Sequence, residues 1–259
     1  MLDSYRDILV YLDASLYLED RLDVAAALAQ QHGANLIGVD ISTSAAFEGQ
    51  WRDRAAEIGD RFEAAARKRG VPHRYRVAAR ESASNLFVHS ADLFVATQPN
   101  DATAHLALAA VPEDTLLAGG VPGLILPCEW QKRALGKNIL VAWNASREAT
   151  RALHDALPML KRAERVVIFA FERHYDAKKA DMDALIAHLA NHGVKARVEG
   201  WTDTGDIDAV SALFACLDMD DIDLIVAGAY GHARWIEGLF GGVSRDLIRQ
   251  ESMAVLLSH

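Results

Sequence analysis

The sequence predicts an α/β protein made of two tandem five-stranded parallel sheets, each layered with helices and related to the other by a pseudo-twofold. Three observations carry that prediction. Asp7-Ile8-Leu9-Val10-Tyr11-Leu12-Asp13-Ala14-Ser15 aligns with Asn138-Ile139-Leu140-Val141-Ala142-Trp143-Asn144-Ala145-Ser146 at an offset of 131. The same offset aligns Ala91–Ala96 with Ile222–Ala227 and Val121–Leu126 with Ser252–Leu257, and twice that offset is close to the 259 residues of the chain. Within each copy, short runs rich in Val, Ile, Leu and Phe alternate with longer stretches of helical periodicity, the pattern of parallel strands covered on both faces by crossover helices.

The elements follow in order. In the first copy the Asp7 segment is a strand, and Val24, Ala25, Leu28 and Ala29 form the buried stripe of the helix after it. Asp60 to Arg69 belong to a long charged helix with a solvated outer surface, and Gly70-Val71-Pro72 ends that helix and opens the next strand. The copies join near Cys128 to Gly136, giving domains 1–132 and 133–259. The second copy reads as strand 138–143, helix 147–161, strand 165–171, helix 178–193, strand 195–201, helix 206–217, strand 222–227, helix 243–251 and strand 253–257. Ala149, Leu153, Ala156, Leu157 and Leu160 share one face of the first of these helices, but Pro158 should kink or end it. Gly193-Val194 repeats the helix stop of the first copy.

Composition narrows the function. Lys plus Arg at 27 against Asp plus Glu at 36 gives a formal charge of −9, which provides no general basic field for a nucleic-acid backbone. No apolar run approaches the roughly 18 residues that cross a bilayer, so no membrane span is expected. The start of the chain shows no basic region followed by a long apolar one, so the expected location is the cytoplasm. Cys128 and Cys216 lack C-x-x-C spacing and read as reduced thiols.

Ligands of open parallel sheets bind beyond the carboxyl ends of the strands, where strand order reverses. In the second copy the loop after the fourth strand reads Gly228-Ala229-Tyr230-Gly231, nine residues from His232 to Phe240, then Gly241-Gly242-Val243-Ser244. Glycine lets backbone N–H groups turn inward and an anion approach closely, while a helix starting near Val243 aims its free N–H groups and dipole at the same point. The loop therefore has the makings of a phosphate cradle.

Here the sequence resembles the universal stress protein family, whose nucleotide-binding members carry G-x2-G-x9-G-[ST] after the fourth strand. The resemblance extends over nearly the whole chain as two tandem domains. It implies a five-stranded Rossmann-like fold of the adenine nucleotide alpha hydrolase type, association through the last strand, and in some members ATP held between the first-strand loop and the glycine loop. Carried over residue by residue, Gly228, Gly231 and Gly241 match the motif, and Val243 and Ser244 follow as the first helical turn.

Two positions depart from the pattern. Gly242 stands at the [ST] position, removing a hydroxyl that would face phosphate. A hydrogen bond to a charged group contributes about 1.5–3 kcal/mol, so affinity should fall roughly ten- to a hundred-fold. Asn144 replaces the acid that the nucleotide binders place near ribose and metal; it still donates and accepts hydrogen bonds but lacks the charge that favours a divalent cation. With Ala142 and Asn144, Trp143 borders the expected pocket, either as an adenine platform or as a core-packing aromatic, and Phe171 flanks it from the second strand. His232, Arg234 and Arg245 are the cations nearest the loop, with phosphate neutralisation and plain solvation as the two readings.

In the first copy the offset places Thr97, Asn100 and Ala110 at the three glycine positions and Val111, Pro112 and Glu113 at those of Gly242, Val243 and Ser244. Asp13 keeps the acid, but the cradle is lost, so this domain is expected to be structural or to bind something other than a nucleoside triphosphate. Catalytic signatures are also missing. The chain has no G-x-x-x-x-G-K-[ST] loop, G-x-S-x-G elbow or H-E-x-x-H helix. His188 and His192 form the only i, i+4 histidine pair on a helix and read as surface residues, so no metal site is expected. Asp218-Met219-Asp220-Asp221-Ile222-Asp223 reads as a solvated turn. The expectation is a stress-response protein binding ATP, with Mg, in its C-terminal domain as a sensor, with at most slow hydrolysis. The alternative is a non-nucleotide adaptor working through protein contacts with an unknown partner, and the last strands allow either a pseudo-dimeric monomer or a homodimer.

Overall fold

The computed structural model describes residues 3–41, 51–78, 87–98, 115–116, 118–128, 130, 134–172, 179–202, 213, 216, 221–229 and 253–259. The chain divides into two units, one holding Asp3–Lys132 and the other Arg133–Ile248 and Met253–His259. The first unit runs β1 (Asp7–Leu12), α1 (Leu18–His32), β2 (Asn35–Asp40), α2 (Trp51–Lys68), β3 (His73–Val77), β4 (Leu93–Thr97) and β5 (Gly123–Leu126). Its strands lie in the order β3-β2-β1-β4-β5, all parallel. The second runs β6 (Asn138–Ala142), α3 (Arg147–Asp155), α4 (Leu157–Leu160), β7 (Arg165–Glu172), α5 (Lys179–Asn191), β8 (Ala196–Thr202), β9 (Leu224–Gly228) and β10 (Ala254–Ser258). Its order is β8-β7-β6-β9-β10, also parallel. Strand order therefore reverses between β1 and β4 in one unit and between β6 and β9 in the other.

Continuous apolar strands are buried on both faces, as Ile8–Val10, Leu93–Val95, Ile139–Val141 and Leu224–Val226 show, which is why no polar alternation marked them in the sequence. The expected stripe of α1, Val24, Ala25, Leu28 and Ala29, is buried. Gly70 and Gly193 close their helices with φ of 65° and 79°, a left-handed conformation that costs other L-residues a clash at Cβ.

The expected helix 147–161 is interrupted. Ser146 caps its start by accepting from the Ala149 N–H at 3.1 Å. The helix stops at Asp155, and after Ala156 a separate turn, α4, begins with Pro158 in its first two positions. Proline has no N–H to continue the ladder, so the chain restarts where that N–H would be orphaned anyway. Of the expected helix 206–217 only Leu213 and Cys216 are described, both helical, and the expected helix 243–251 lies outside the described residues.

Of the acidic run before β9, residues 218–220 lie outside the described residues and Asp221 is an exposed turn residue as expected, but Asp223 is not simply solvated. Asp223 is half-buried and accepts from the backbone N–H groups of Gly136 at 2.7 Å and of Lys137 and Asn138 at 3.0 Å. At the equivalent place in the first unit, Asp92 accepts from the N–H groups of Arg6 at 2.6 Å and Asp7 at 3.0 Å. Each unit thus uses one carboxylate to hold the entry of its central strand, because the first N–H groups of that strand precede its ladder and need an acceptor.

Candidate functional site at the strand-order reversal

At the carboxyl edge of the second unit, β6 and β9 run side by side with Val141 opposite Val226. β6 ends at Ala142, and the Trp143 N–H continues toward β7 by donating to the Phe169 carbonyl at 2.8 Å. The Trp143 side chain is half-buried, and its indole N–H is buried with no hydrogen-bond partner among the described residues. Asn144 then turns the chain into α3, its Oδ1 accepting from the Ser146 N–H at 3.1 Å, and Ala145 between them holds φ at 57°. A left-handed alanine costs about 1–2 kcal/mol, so this turn stores strain beside the strand end.

Gly228 ends β9 directly against that turn. A Cβ at Gly228 would lie 2.6 Å from the Ala149 nitrogen and 2.6 Å from the Glu148 carbonyl carbon, inside the first turn of α3. Only a residue without a side chain allows this approach. Gly228 is thereby explained by helix-to-strand packing, a reason the sequence reading did not supply.

Ala142, Trp143, Asn144 and Gly228 therefore sit at neighbouring strand ends. Phe171 lies in β7, with its backbone opposite Trp201 of β8. Gly231, His232, Gly241, Gly242, Val243 and Ser244, with Arg234 and Arg245, lie outside the described residues, as do Asn100, Ala110, Val111, Pro112 and Glu113 of the first copy.

The corresponding edge of the first unit is built differently. Asp13 repeats the turn of Asn144, its Oδ1 accepting from the Ser15 N–H at 3.0 Å and the Ser15 hydroxyl at 2.6 Å. Arg21, one turn into α1 and 2% exposed, places one guanidinium nitrogen 2.8 Å from Asp13 Oδ1 and donates from the other to the Thr97 hydroxyl at 2.7 Å. Thr97 stands where the second unit has Gly228, and Ala152 stands where the first has Arg21. An internal cation thus bridges the ends of β1 and β4. Burial pushes the Asp13 carboxyl up, but Arg21 and the Ser15 hydrogen bonds outweigh it and hold the carboxyl below its ordinary range.

The sequence reading missed Arg21. The available signal was its place on the stripe of α1, four residues before Ala25 and seven before Leu28, where a charge demands a buried partner.

Both units are open parallel sheets whose strand order reverses beside their first strand, an α/β architecture of the doubly wound class. The chain has the fold of the universal stress proteins over nearly its whole length. It is similar to a universal stress protein from Archaeoglobus fulgidus DSM 4304, with 16% identity, 97% of each chain covered and a TM-score of 0.77. A putative universal stress protein from Pseudomonas aeruginosa UCBPP-PA14 covers 99% of this chain and 94% of its own at 15% identity and a TM-score of 0.62. A functionally unknown protein from Pseudomonas aeruginosa PAO1 covers 99% and 93% at 15% identity and a TM-score of 0.61. No family model matches the sequence, and no curated protein does. Among the described residues no helix is long and apolar enough to cross a membrane.

Proposed function

We propose that this chain is a tandem stress-response protein of the universal stress type, with domains 1–132 and 133–259, and that the C-terminal domain binds ATP as a regulatory sensor in the cytoplasm. The observation that carries the reading is the pairing of a strained, polar turn at Trp143, Asn144 and Ala145 with a glycine at the end of the neighbouring strand, the start of the G-x2-G-x9-G spacing. Asn144 uses its Oδ1 on the Ser146 N–H, which leaves its amide N–H groups for ribose hydroxyls. Trp143, half-buried at the strand end, offers an aromatic face to the base. Gly231, Gly241 and Gly242 supply backbone N–H groups for the phosphates, and magnesium is held by the phosphates and water, because Asn144 carries no charge for it. The N-terminal domain takes no nucleoside triphosphate, since Arg21 fills the equivalent edge.

Isothermal titration of the ligand-stripped chain with ATP and magnesium, carried into the millimolar range, tests this reading. One saturable site per chain, lost in Gly231→Val with the fold retained, is the expected result. Unchanged affinity in the variant, or no binding at millimolar ATP, refutes it. A second reading, an adaptor that works through protein contacts, is favoured by the packing reason for Gly228, which explains that glycine without a ligand. Partners captured equally with and without ATP would select it.

A further inference from the structure

Outside the crevice, α3 and α5 bring two histidine rings together that are far apart in sequence. His154 Nε2 lies 3.2 Å from His188 Nε2, and their ring centroids are 5.2 Å apart. His192, one turn beyond His188, stands edge-on to it at 4.7 Å between centroids. His154 Nδ1 is 2.7 Å from the Thr150 carbonyl. A carbonyl only accepts, so Nδ1 carries the proton and Nε2 of His154 presents a lone pair. That is the tautomer of a metal-ligating histidine, held by the kind of outer hydrogen bond that orients such ligands.

We propose that His154 and His188 form a chelating site for a divalent transition-metal ion on the helical face of the second unit. Two nitrogens each about 2.0–2.1 Å from one ion stand about 2.9 Å apart at a right angle and about 3.3 Å apart at the tetrahedral angle. The observed 3.2 Å falls between the two. Without the ion the same spacing is bridged by a proton, His188 Nε2–H donating to His154 Nε2. On binding, that proton leaves Nε2 and the His188 ring is reprotonated at Nδ1 through solvent, so both Nε2 lone pairs face the ion and no net proton is released.

The surroundings favour a cation. His154 lies in the last turn of α3 and His188 in the last turn of α5, where unpaired carbonyls give the negative end of each helix. All three rings are only half-buried, which leaves the ion a path in and room for water as further ligands. Among the described residues no three His, Cys, Asp or Glu side chains already converge on one metal position, so two imidazoles and water make up the coordination. Imidazole nitrogens select zinc, nickel or copper over magnesium and calcium, which require oxygen ligands.

The test is isothermal titration of the full-length, tag-free, chelator-stripped chain with zinc sulfate, repeated on His154→Gln and His188→Gln after circular dichroism has shown native helix content. His89, in the other unit, serves as the control through His89→Gln. One zinc per chain is expected, with affinity reduced at least about tenfold in either ligand variant, as even the loss of an outer hydrogen bond costs that much. The control should bind like the wild type. Absence of zinc binding by the wild type, or equal binding by both ligand variants, overturns the proposal. Because the readout is zinc in the absence of nucleotide, it succeeds or fails independently of the proposed ATP site.

Discussion

Replacing Arg21 by methionine removes the internal cation while keeping most of its volume. Among the described residues Asp13 would then be buried with only Ser15 to bond it, and the Thr97 hydroxyl would lose the Arg21 donor. Breaking a buried pair by removing one partner costs about 3–5 kcal/mol, because the remaining charge stays desolvated. The wild-type Asp13 carboxyl is held low, so its stabilising contribution is fully present above the unfolded value of about 3.9 and lost as pH falls through the lower folded value. In Arg21→Met, burial is opposed only by the Ser15 hydrogen bonds among the described residues, so the carboxyl moves up and protonation relieves the buried charge at a higher pH. The deficit between wild type and variant should therefore be largest near neutral pH and shrink toward pH 3. Urea unfolding of the full chain measures the size, and amide hydrogen exchange of β1 and β4 locates it. The double variant Asp13→Asn with Arg21→Met should recover most of the loss. A deficit below about 1 kcal/mol at neutral pH, or one that does not change with acidification, would show that the pair is not the brace described here.

Two further outcomes follow from the geometry. Gly228→Ala drives a methyl group into backbone atoms of α3 and should destabilise the second unit by about 1–3 kcal/mol, read as a lower urea midpoint with an unchanged slope. Asp223→Ala strips the acceptor from three backbone N–H groups and Asp92→Ala from two, so both should destabilise by about 1–3 kcal/mol, the former more, in thermal unfolding.

The legible part of the fold was what repeats or runs continuously in sequence. The offset of 131 holds at β1, β4 and β5, and there the strands were found. It slips in between, since His73 and Ala196 occupy the same register position at an offset of 123, and there the matching helix stops Gly70-Val71 and Gly193-Val194, at that same offset, marked β3 and β8 as equivalents. Pro158 announced the break after α3 because its effect is local. Arg21, Asp223 and the His154–His188 pair were misread or missed because each is defined by a partner supplied from another element: Asp13 and Thr97 for the first, the start of β6 for the second, and a helix 34 residues away for the third. Composition treats a charged or imidazole side chain as surface by default, and only tertiary pairing overrides that. In the candidate crevice, Asn144 and Trp143 were placed by the strand pattern, whereas the close approach at Gly228 is a property of two backbones and leaves no trace in a single sequence.

The carboxylate clamps also bear on the order in which the chain acquires structure during synthesis. Asp92 reaches back 85 residues to Asp7, and Asp223 reaches back the same distance to Asn138. Each central strand is born without its neighbour and cannot be tied down until most of its own unit has been made, an arrangement of high contact order that slows pairing. At about 5–20 residues per second, the first 130 residues leave the ribosome roughly 6–25 s before the second unit is complete. The two units share the core Ile-Leu-Val at β1 and β6, and this head start lets the earlier copy close its own clamp before the later one can offer a competing acid.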